Sequence, residues 1–545
     1  DYLRSLESAY NEREKMRNSQ YVNEYVRHFI DNEPIPGIEN EYAIMNQIVP
    51  NIPVDAINQV VKQIIGEKNI VLSVFCPEKE GMKYPTEAEL KGVIDKVKAA
   101  KLEAYVDKVS NEPLMKELPA GGKVVKEEAG PFDSKILTLS NGVKVVLKKT
   151  DFKADEVRMQ AFSTGGTSMF DDKDAIQFKL INQVVSLGGL GNFSAVDLDK
   201  VLAGKMASAS AYVNSLTEGI SGSCSPKDME TMLQLTYLRF TAPRMDQDAF
   251  ASFINRNKAA LANAEADPNT AFGDSISVAL YNRHPRAISV KAETLDKIDY
   301  NKVMELYKDR FADASDFTFI MVGNIDEATA TPLIEKYLGS LPSTKRNEKF
   351  RDVNPDIRKG LYENNFTREM ETAKSSVLMV ASGKCKYDQK NVVLMSMMGQ
   401  LLNILYTQTV REDAGGTYGV SCNGSVSKYP EAEGVFQIYF DTDPQRRPQM
   451  VELINKGISD FIAQGPKTED LNKVKEYMLK TYQQNQKENS YWMGILNTML
   501  WEGVDMNKGY ENTVNGISID DLKKFAKDFF GQKNMIEVSM NSPVK

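Results

Sequence analysis

Three stretches of the chain share one pattern of apolar positions and one way of ending. They are "IPVDAINQVVKQIIGEKNIVLSV" (52–74), "IDYNKVMELYKDRFADASDFTFIMV" (298–322) and "ISIDDLKKFAKDFFGQKNMIEVSM" (517–540). Each opens on Ile and reaches Asp55, Asn301 or Asp520 three residues later. Apolar residues then recur at the spacing of one helix face: Ile57, Val60 and Ile64 in the first, Leu522, Phe525 and Phe529 in the third. The first and third continue through Gly-x-Lys-Asn, at Gly66–Asn69 and Gly531–Asn534. That fits a glycine helix stop followed by a β-rich segment. Three copies of one helix-to-strand ending predict three related domain ends, near residues 77, 326 and 543.

The domain beginnings also agree. "LTLSNGVKVVLKKT" (137–150) sets Asn141-Gly142 between β-favouring residues, the strongest short-range hairpin signal. "EVRMQAFSTGG" (156–166) reads as a further strand, and residues 206–240 read strand, strand, helix. "TYGVSCNGSV" (417–426) and "GVFQIYFDTD" (434–443) echo that order before a helix carrying Val451, Ile454, Ile458 and Phe461 on one face and stopping at Gly465-Pro466. The first thirty residues read as helix, with Leu3, Leu6 and Tyr10 and then Tyr21, Tyr25 and Phe29 at helical spacing. Such a face needs a cover, so the opening stretch is expected to be cut from a longer polypeptide.

Composition loosens at "SNEPLMKELPAGGKVVKEEAGPFDS" (110–134) and "LPSTKRNEKFRDVNPD" (341–356), which read as linkers. The expected layout is the end of a preceding α+β domain at 1–110, a linker at 111–132, a full domain at 133–342, a linker at 343–356 and a second full domain at 357–545. Strands followed by helices, repeated, predict an α+β fold of two-layer domains, each a mostly antiparallel sheet with helices packed on one face. The 545 residues are enough for three or four such domains at about 150 residues each.

Charge and chemistry narrow the choice. A formal net charge of −8 without a basic run argues against nucleic acid, and no apolar run approaches the ~18 residues of a membrane helix. Cysteines at 76, 224, 385 and 422 lie far apart and read as isolated buried thiols. The two histidines, His28 and His284, have no partner at ligand spacing and read as ordinary surface or capping residues, leaving no basis for a zinc site or a catalytic triad. "LGGLGNFS" (187–194) lacks the Gly-Lys-Ser/Thr ending of a phosphate loop.

One stretch remains, "VREDAGGTYGV" (410–420), with Arg411 and Tyr418 seven positions apart around Gly415-Gly416. Together with the repeated unit and the opening "LSNGVKVVL", it resembles the pitrilysin/insulinase family of zinc metallopeptidases, the inverzincins, over essentially the whole chain. The resemblance implies half of a clamshell enclosing a peptide, in which only the other half carries the H-x-x-E-H zinc motif. It implies that Arg411 and Tyr418 form the substrate-binding pair of the last domain, Tyr418 also stabilising the transition state. The helix "DAIQFKLINQVVS" (174–186), where an active half would hold its metal, contains neither His nor Glu. Residues 133–342 therefore resemble the degenerate domain, and zinc is expected in a domain absent from this sequence. A phenol there would donate to the oxygen gaining charge, and a guanidinium would bind substrate carbonyls or order the Tyr. The plain alternative is an Arg at a helix end and a Tyr opening a core strand.

Two functions follow from the resemblance. One is the non-catalytic, C-terminal part of a zinc metalloendopeptidase, with a peptide substrate and an N-terminal catalytic domain as partners. The other is a stand-alone peptide-binding or scaffolding subunit beside a separate catalytic chain. The expected compartment is the periplasm, with the cytoplasm left open.

Overall fold

The computed structural model describes residues 1–65, 68–76, 81–103, 106 and 112–543, in two units, Asp1–Asn111 and Glu112–Lys545. The first unit is built of α1 (Tyr2–Asn11), α2 (Asn18–Asp31), α3 (Ile38–Ile48), α4 (Val54–Ile64) and α5 (Glu87–Ala99). Leu6 of α1 is buried, and Tyr10 and Tyr42 stack at 4.9 Å to join α1 and α3. Helix α4 is the helix predicted for the first repeat, but its apolar stripe faces solvent: Ile57, Val60 and Ile64 are 53%, 52% and 77% exposed. Residues 68–76 form no strand, which corrects the β-rich ending expected there. A strand persists only through a ladder with a neighbour, and no other strand is found among the described residues of this unit. Gly66 of the shared Gly-x-Lys-Asn lies outside the described residues.

The second unit holds two lobes of one design. In the first, β1 (Val124–Ala129), β2 (Lys135–Leu139), β3 (Lys144–Lys149), β4 (Val157–Thr164), β5 (Ala207–Val213), β6 (Thr217–Cys224) and β7 (Thr318–Gly323) make a sheet ordered β1-β2-β3-β7-β4-β6-β5. In the second, β8 (Leu361–Thr367), β9 (Ser375–Lys384), β10 (Val420–Ser427), β11 (Glu433–Thr442) and β12 (Met535–Asn541) are ordered β8-β12-β9-β11-β10. Each sheet has one parallel pair, β3 with β7 and β8 with β12, and is otherwise antiparallel. The α+β class with mostly antiparallel sheets is as expected.

The predicted hairpin joins β2 and β3. Asn141 Oδ1 accepts from the Val143 amide at 3.3 Å, and Gly142 sits at φ +98° with the Ser315 carbonyl 2.9 Å from where a Cβ would stand. Only glycine combines that backbone angle with so close an approach. Part of the stretch expected as linker is folded: β1 pairs antiparallel with β2 as the edge of the first sheet. Nothing local to 124–129 announces that strand; its pairing partner supplies it.

The first lobe's helices are α6 (Ala175–Lys179), α7 (Ile181–Ser186), α8 (Ala195–Val201), α9 (Met229–Thr241), α10 (Gln247–Ala264), α11 (Pro268–Tyr281), α12 (Ala292–Leu295), α13 (Tyr300–Arg310) and α14 (Glu327–Tyr337). The second lobe has α15 (Gln389–Tyr406), α16 (Arg447–Gln464), α17 (Thr468–Asn485), α18 (Asn489–Asn497), α19 (Tyr510–Gly516) and α20 (Ile519–Phe530). The second and third repeats end as predicted, α13 leading to β7 and α20 to β12. Leu522, Phe525 and Phe529 of α20 are buried, unlike their counterparts on α4. Each lobe packs its own helices on one sheet face, around Phe311, Phe317 and Phe319 in the first and Tyr406, Phe436 and Phe440 in the second. The opposite faces are covered reciprocally. Phe272, Ala279 and Leu280 of α11 pack on Val380, Ile536 and Val538 of the second sheet, while Met493 and Leu496 of α18 pack on Val146, Phe162 and Ile320 of the first.

The 343–356 linker has no helix or strand but is tied down along its length. Asp313 accepts from the amides of Thr344 and Arg346, Glu348 pairs with Arg310 at 2.9 Å, and Arg351 donates to the Ser168 and Phe170 carbonyls. Phe350 closes an aromatic cluster with Tyr429 and Trp501.

Candidate functional site

Helix α15 is apolar on its buried side, where Met397, Met398, Leu401 and Leu402 join the core. The Tyr406 hydroxyl donates to the Ile454 carbonyl at 2.8 Å and ends that buried run. The chain then widens into a π-helical turn, Thr407–Asp413. Thr407 and Thr409 donate to the carbonyls four residues back, Asn403 and Leu405, at 2.8 and 2.9 Å. Hydroxyls bonded in this way bend helices, and single π turns frequently mark functional sites. Val410 is buried and pins the turn, leaving Arg411 on its outer side with more than half of its side chain exposed. Its guanidinium lies 3.6 Å from Glu412, an exposed and screened pair of little energetic weight.

The glycines after it make a braced turn. Gly415 has φ +58°, and the Gly416 amide donates back to the Val410 carbonyl at 3.1 Å. Arg446, between β11 and α16, donates to the carbonyls of Ala414 at 2.5 Å and Gly415 at 2.8 Å. Thr442 donates to the Gly416 carbonyl at 2.6 Å. A Cβ on Gly416 would stand 2.0 Å from the Met450 sulfur, so a side chain here requires the buried Met450 to move. Thr417 closes on the Gly419 carbonyl at 2.9 Å, and β10 begins at Val420. Tyr418, between these braces, is fully exposed, and its hydroxyl bonds to none of the described residues. Arg411 and Tyr418 thus flank one hydrogen-bonded turn, and neither is packed in an interior. A groove of about 700 Å³ beside the π turn is lined by Thr407, Gln408, Asp413, Phe461, Pro466 and Lys473, but by neither of these two.

In the first lobe, the place where an active half would hold its metal is filled by side chains. Helices α6 and α7 follow β4 and the Gly165-Gly166 turn, and Phe178 of α6 stacks near Phe170 at 6.1 Å. The Arg286 guanidinium lies 5.0 Å over Phe178 and donates to Asp172 at 2.7 Å and to the carbonyls of Thr167 and Phe170. Arg310 lies over Phe170 and 4.0 Å from Glu218, whose carboxylate accepts from the Gly166 amide at 2.5 Å. Burial pushes Glu218 up to about 7, with Arg310 and the Gly166 N–H pulling the other way. His284 approaches Asp172 at 3.8 Å, where Arg286 already holds the other oxygen.

These residues do not fit a zinc ion: one imidazole and one carboxylate, already neutralised by a guanidinium, fall short of three ligands. Among the described residues no group of three His, Cys, Asp or Glu is placed to hold a metal. Cys224, Cys385 and Cys422 are buried and Cys76 is exposed. Burial pushes Cys224 and Cys422 up to about 12 and Cys385 to about 11, the inert behaviour of core thiols.

Residues 297–478, which include the whole Arg411–Tyr418 turn, match the family described as Peptidase M16 inactive domain. That stretch is similar to an M16 inactive domain. The resemblance read from the sequence holds at that level. A zinc protease PQQL-like protein of Arabidopsis thaliana is 25% identical over 515 residues, covering 90% of this chain and 50% of the relative. The crystal structure of the periplasmic protease PqqL from Escherichia coli matches 99% of this chain and 60% of its own, with a TM-score of 0.70 and 19% identity. The M16 inactive domain from Pseudomonas fluorescens matches 76% of this chain and 98% of its own, with a TM-score of 0.62 and 17% identity. The structural likenesses establish a shared fold. The chain spans about half the length, or less, of the curated relatives it matches.

Sequence reasoning missed Arg446, Thr442 and Asn403, the residues that hold the turn. Only Asn403 left a signal, a lone amide inside the apolar run "LLNILY" (401–406).

Proposed function

We propose that this chain is the non-catalytic part of a zinc-dependent metalloendopeptidase and that it presents Tyr418 and Arg411 to a peptide held in an enclosed chamber. The observation that carries this reading is a braced turn holding a phenol fully in solvent, with no bond to any described residue. Exposing a large ring on a stiff support costs apolar burial, and a waiting partner accounts for it. The metal would be held in the portion of the M16 proteins that this chain does not match. Within this chain, Tyr418 donates to the oxygen that gains negative charge as the peptide bond is attacked, and Arg411 offers a planar fork of donors to substrate carbonyls or a carboxylate.

The bare apolar stripe of α4 supports the same reading, since its counterpart on α20 is buried in its own lobe. We place the assembled protein in the periplasm, by analogy with the periplasmic Escherichia coli relative. The test is peptide hydrolysis by this chain joined to a catalytic M16 half. Tyr418→Phe is expected to lower kcat by about 10²-fold, the scale of one lost oxyanion donor. An unchanged kcat removes Tyr418 from the mechanism. Arg411→Lys is expected to raise KM with less change in kcat.

A further inference from the structure

The turn that carries Tyr418 contains two adjacent glycines, the least constrained backbone a chain can offer. A phenol on such a support would sample many positions, yet the structure fixes three successive carbonyls of it from one direction. Arg446 bridges Ala414 O and Gly415 O with two nitrogens of one guanidinium, and Thr442 takes Gly416 O. No carboxylate among the described residues pairs with Arg446, so its fork is committed to these carbonyls. On the other side, Asn403 holds both backbone groups of Cys422, at 3.0 and 2.7 Å. Strand β10 pairs with β11 from Val420 onward, so the span left between the anchors is Thr417–Gly419, with Tyr418 at its centre.

We propose that Arg446 is a positioning residue for Tyr418: its guanidinium removes the freedom of the Gly415-Gly416 turn and so sets where the phenol stands. The proposal rests on the functional reading above, but its structural half stands apart from it. The geometry of the fork matters more than its charge. A Lys ammonium is a point donor on a flexible stem and cannot hold two peptide planes in a fixed relation. Arg446→Lys therefore keeps the charge and loses the clamp. Misplacement by about 1 Å can cost 10²-fold in rate, so a loosened turn is expected to act on kcat rather than on substrate binding.

Two measurements test this. In the chain itself, hydrogen exchange is followed at the Gly416 amide, which is bonded to Val410 O, in wild type, Arg446→Lys and Arg446→Ala. Both variants are expected to exchange at least tenfold faster there, while amides of β9 and β12 keep their protection. Wild-type exchange at Gly416 in Arg446→Lys overturns the clamp, whatever the activity. In the chain joined to a catalytic M16 half, with a quenched fluorogenic peptide as probe, Arg446→Lys is expected to lower kcat about tenfold with KM unchanged. In a Tyr418→Phe background it should have no further effect. Full additivity of the two substitutions overturns the positioning role. A Tyr418→Phe protein with wild-type kcat overturns the functional reading, and the catalytic purpose of the clamp with it, while the exchange result still decides the clamp itself.

Discussion

The side chain of Asn403 donates to the carbonyl of Cys422 at 3.0 Å and accepts from the same residue's amide at 2.7 Å, occupying both backbone groups of this residue of edge strand β10. The first lobe repeats the device. Asn182 of α7 donates to Val213 O at 3.2 Å and accepts from Val213 N at 2.8 Å, at the end of edge strand β5. An open edge is a template for pairing with another chain, and an amide clasp blunts it. Asn403→Ala strips two partly buried backbone groups of their partner, so we expect a loss of about 2 kcal/mol, read as a lower urea midpoint with unchanged slope. Asn182→Ala should cost a similar amount. The pair sits in separate lobes with no shared partner, so the double variant should lose the sum.

Glu218 gives a pH signature whose sign is opposite to that of most carboxylates. Burial lifts it from the ordinary 4.5 to about 7, so the folded state holds its proton more tightly than the unfolded chain. Stability is then greatest below about 4.5 on this account and falls as pH rises towards 7, by up to about 3 kcal/mol. Asp313 works the other way: burial opposes its charge, but the amides of Ser315, Arg346 and Thr344 outweigh burial and hold it at about 2. Its contribution is lost only as pH falls from 3.8 towards 2. Comparing urea midpoints at pH 5 and pH 8 in wild type and in Glu218→Gln separates Glu218 from Asp316 and Glu537, carboxylates that burial also raises. Wild type should be the less stable at pH 8, and Glu218→Gln should flatten the difference. An equal slope in both proteins would assign the effect elsewhere.

What the sequence made legible is what is written locally. Asn141-Gly142 announces its turn because the turn's own angles demand those residues, and α13 and α20 announce themselves by one apolar face each. Tyr418 and Arg411 were singled out by the family resemblance, and the structure places both in solvent on one turn. Long-range pairing left no such mark. Strand β1 exists because β2 needs a neighbour, and "VVKEEA" (124–129) alone is ambiguous. The reciprocal covering by α11 and α18 joins sheet and helix residues a hundred or more positions apart. The Arg446 clamp spans about thirty positions and depends on no residue type that sequence spacing could flag.

The two lobes meet through a polar contact inside that reciprocal packing. Asn489, at the start of α18, is buried; its carbonyl oxygen accepts from the Thr150 hydroxyl at 2.5 Å and its amide donates to Glu156 at 2.9 Å. Asn489→Ala leaves a buried hydroxyl and a carboxylate oxygen without this partner, at about 2–3 kcal/mol. Because the loss falls on the contact between lobes, the expected result is also a change in cooperativity. Calorimetry should split one transition into two, whereas an equal loss placed within a lobe would lower a single transition.

Helices α4 and α20 carry the same apolar pattern to two different fates. Burying one large aliphatic side chain is worth about 1.5–3 kcal/mol, so a stripe of Ile57, Val60 and Ile64 left in water forgoes several kcal/mol. Exposed stripes of that kind bind apolar probes and one another. This chain on its own should therefore enhance the fluorescence of an anilinonaphthalene sulfonate dye under native conditions and associate as its concentration rises. The triple variant Ile57→Lys, Val60→Glu, Ile64→Lys should lower both signals without changing the unfolding of the second unit. The matching experiment on α20 should end differently. Phe525→Ala removes a buried ring and should cost about 3–5 kcal/mol, because there the stripe already has its partner. If the α4 triple variant instead unfolds the first unit, the stripe is packed in solution, and the support it lends to the proposed function is withdrawn.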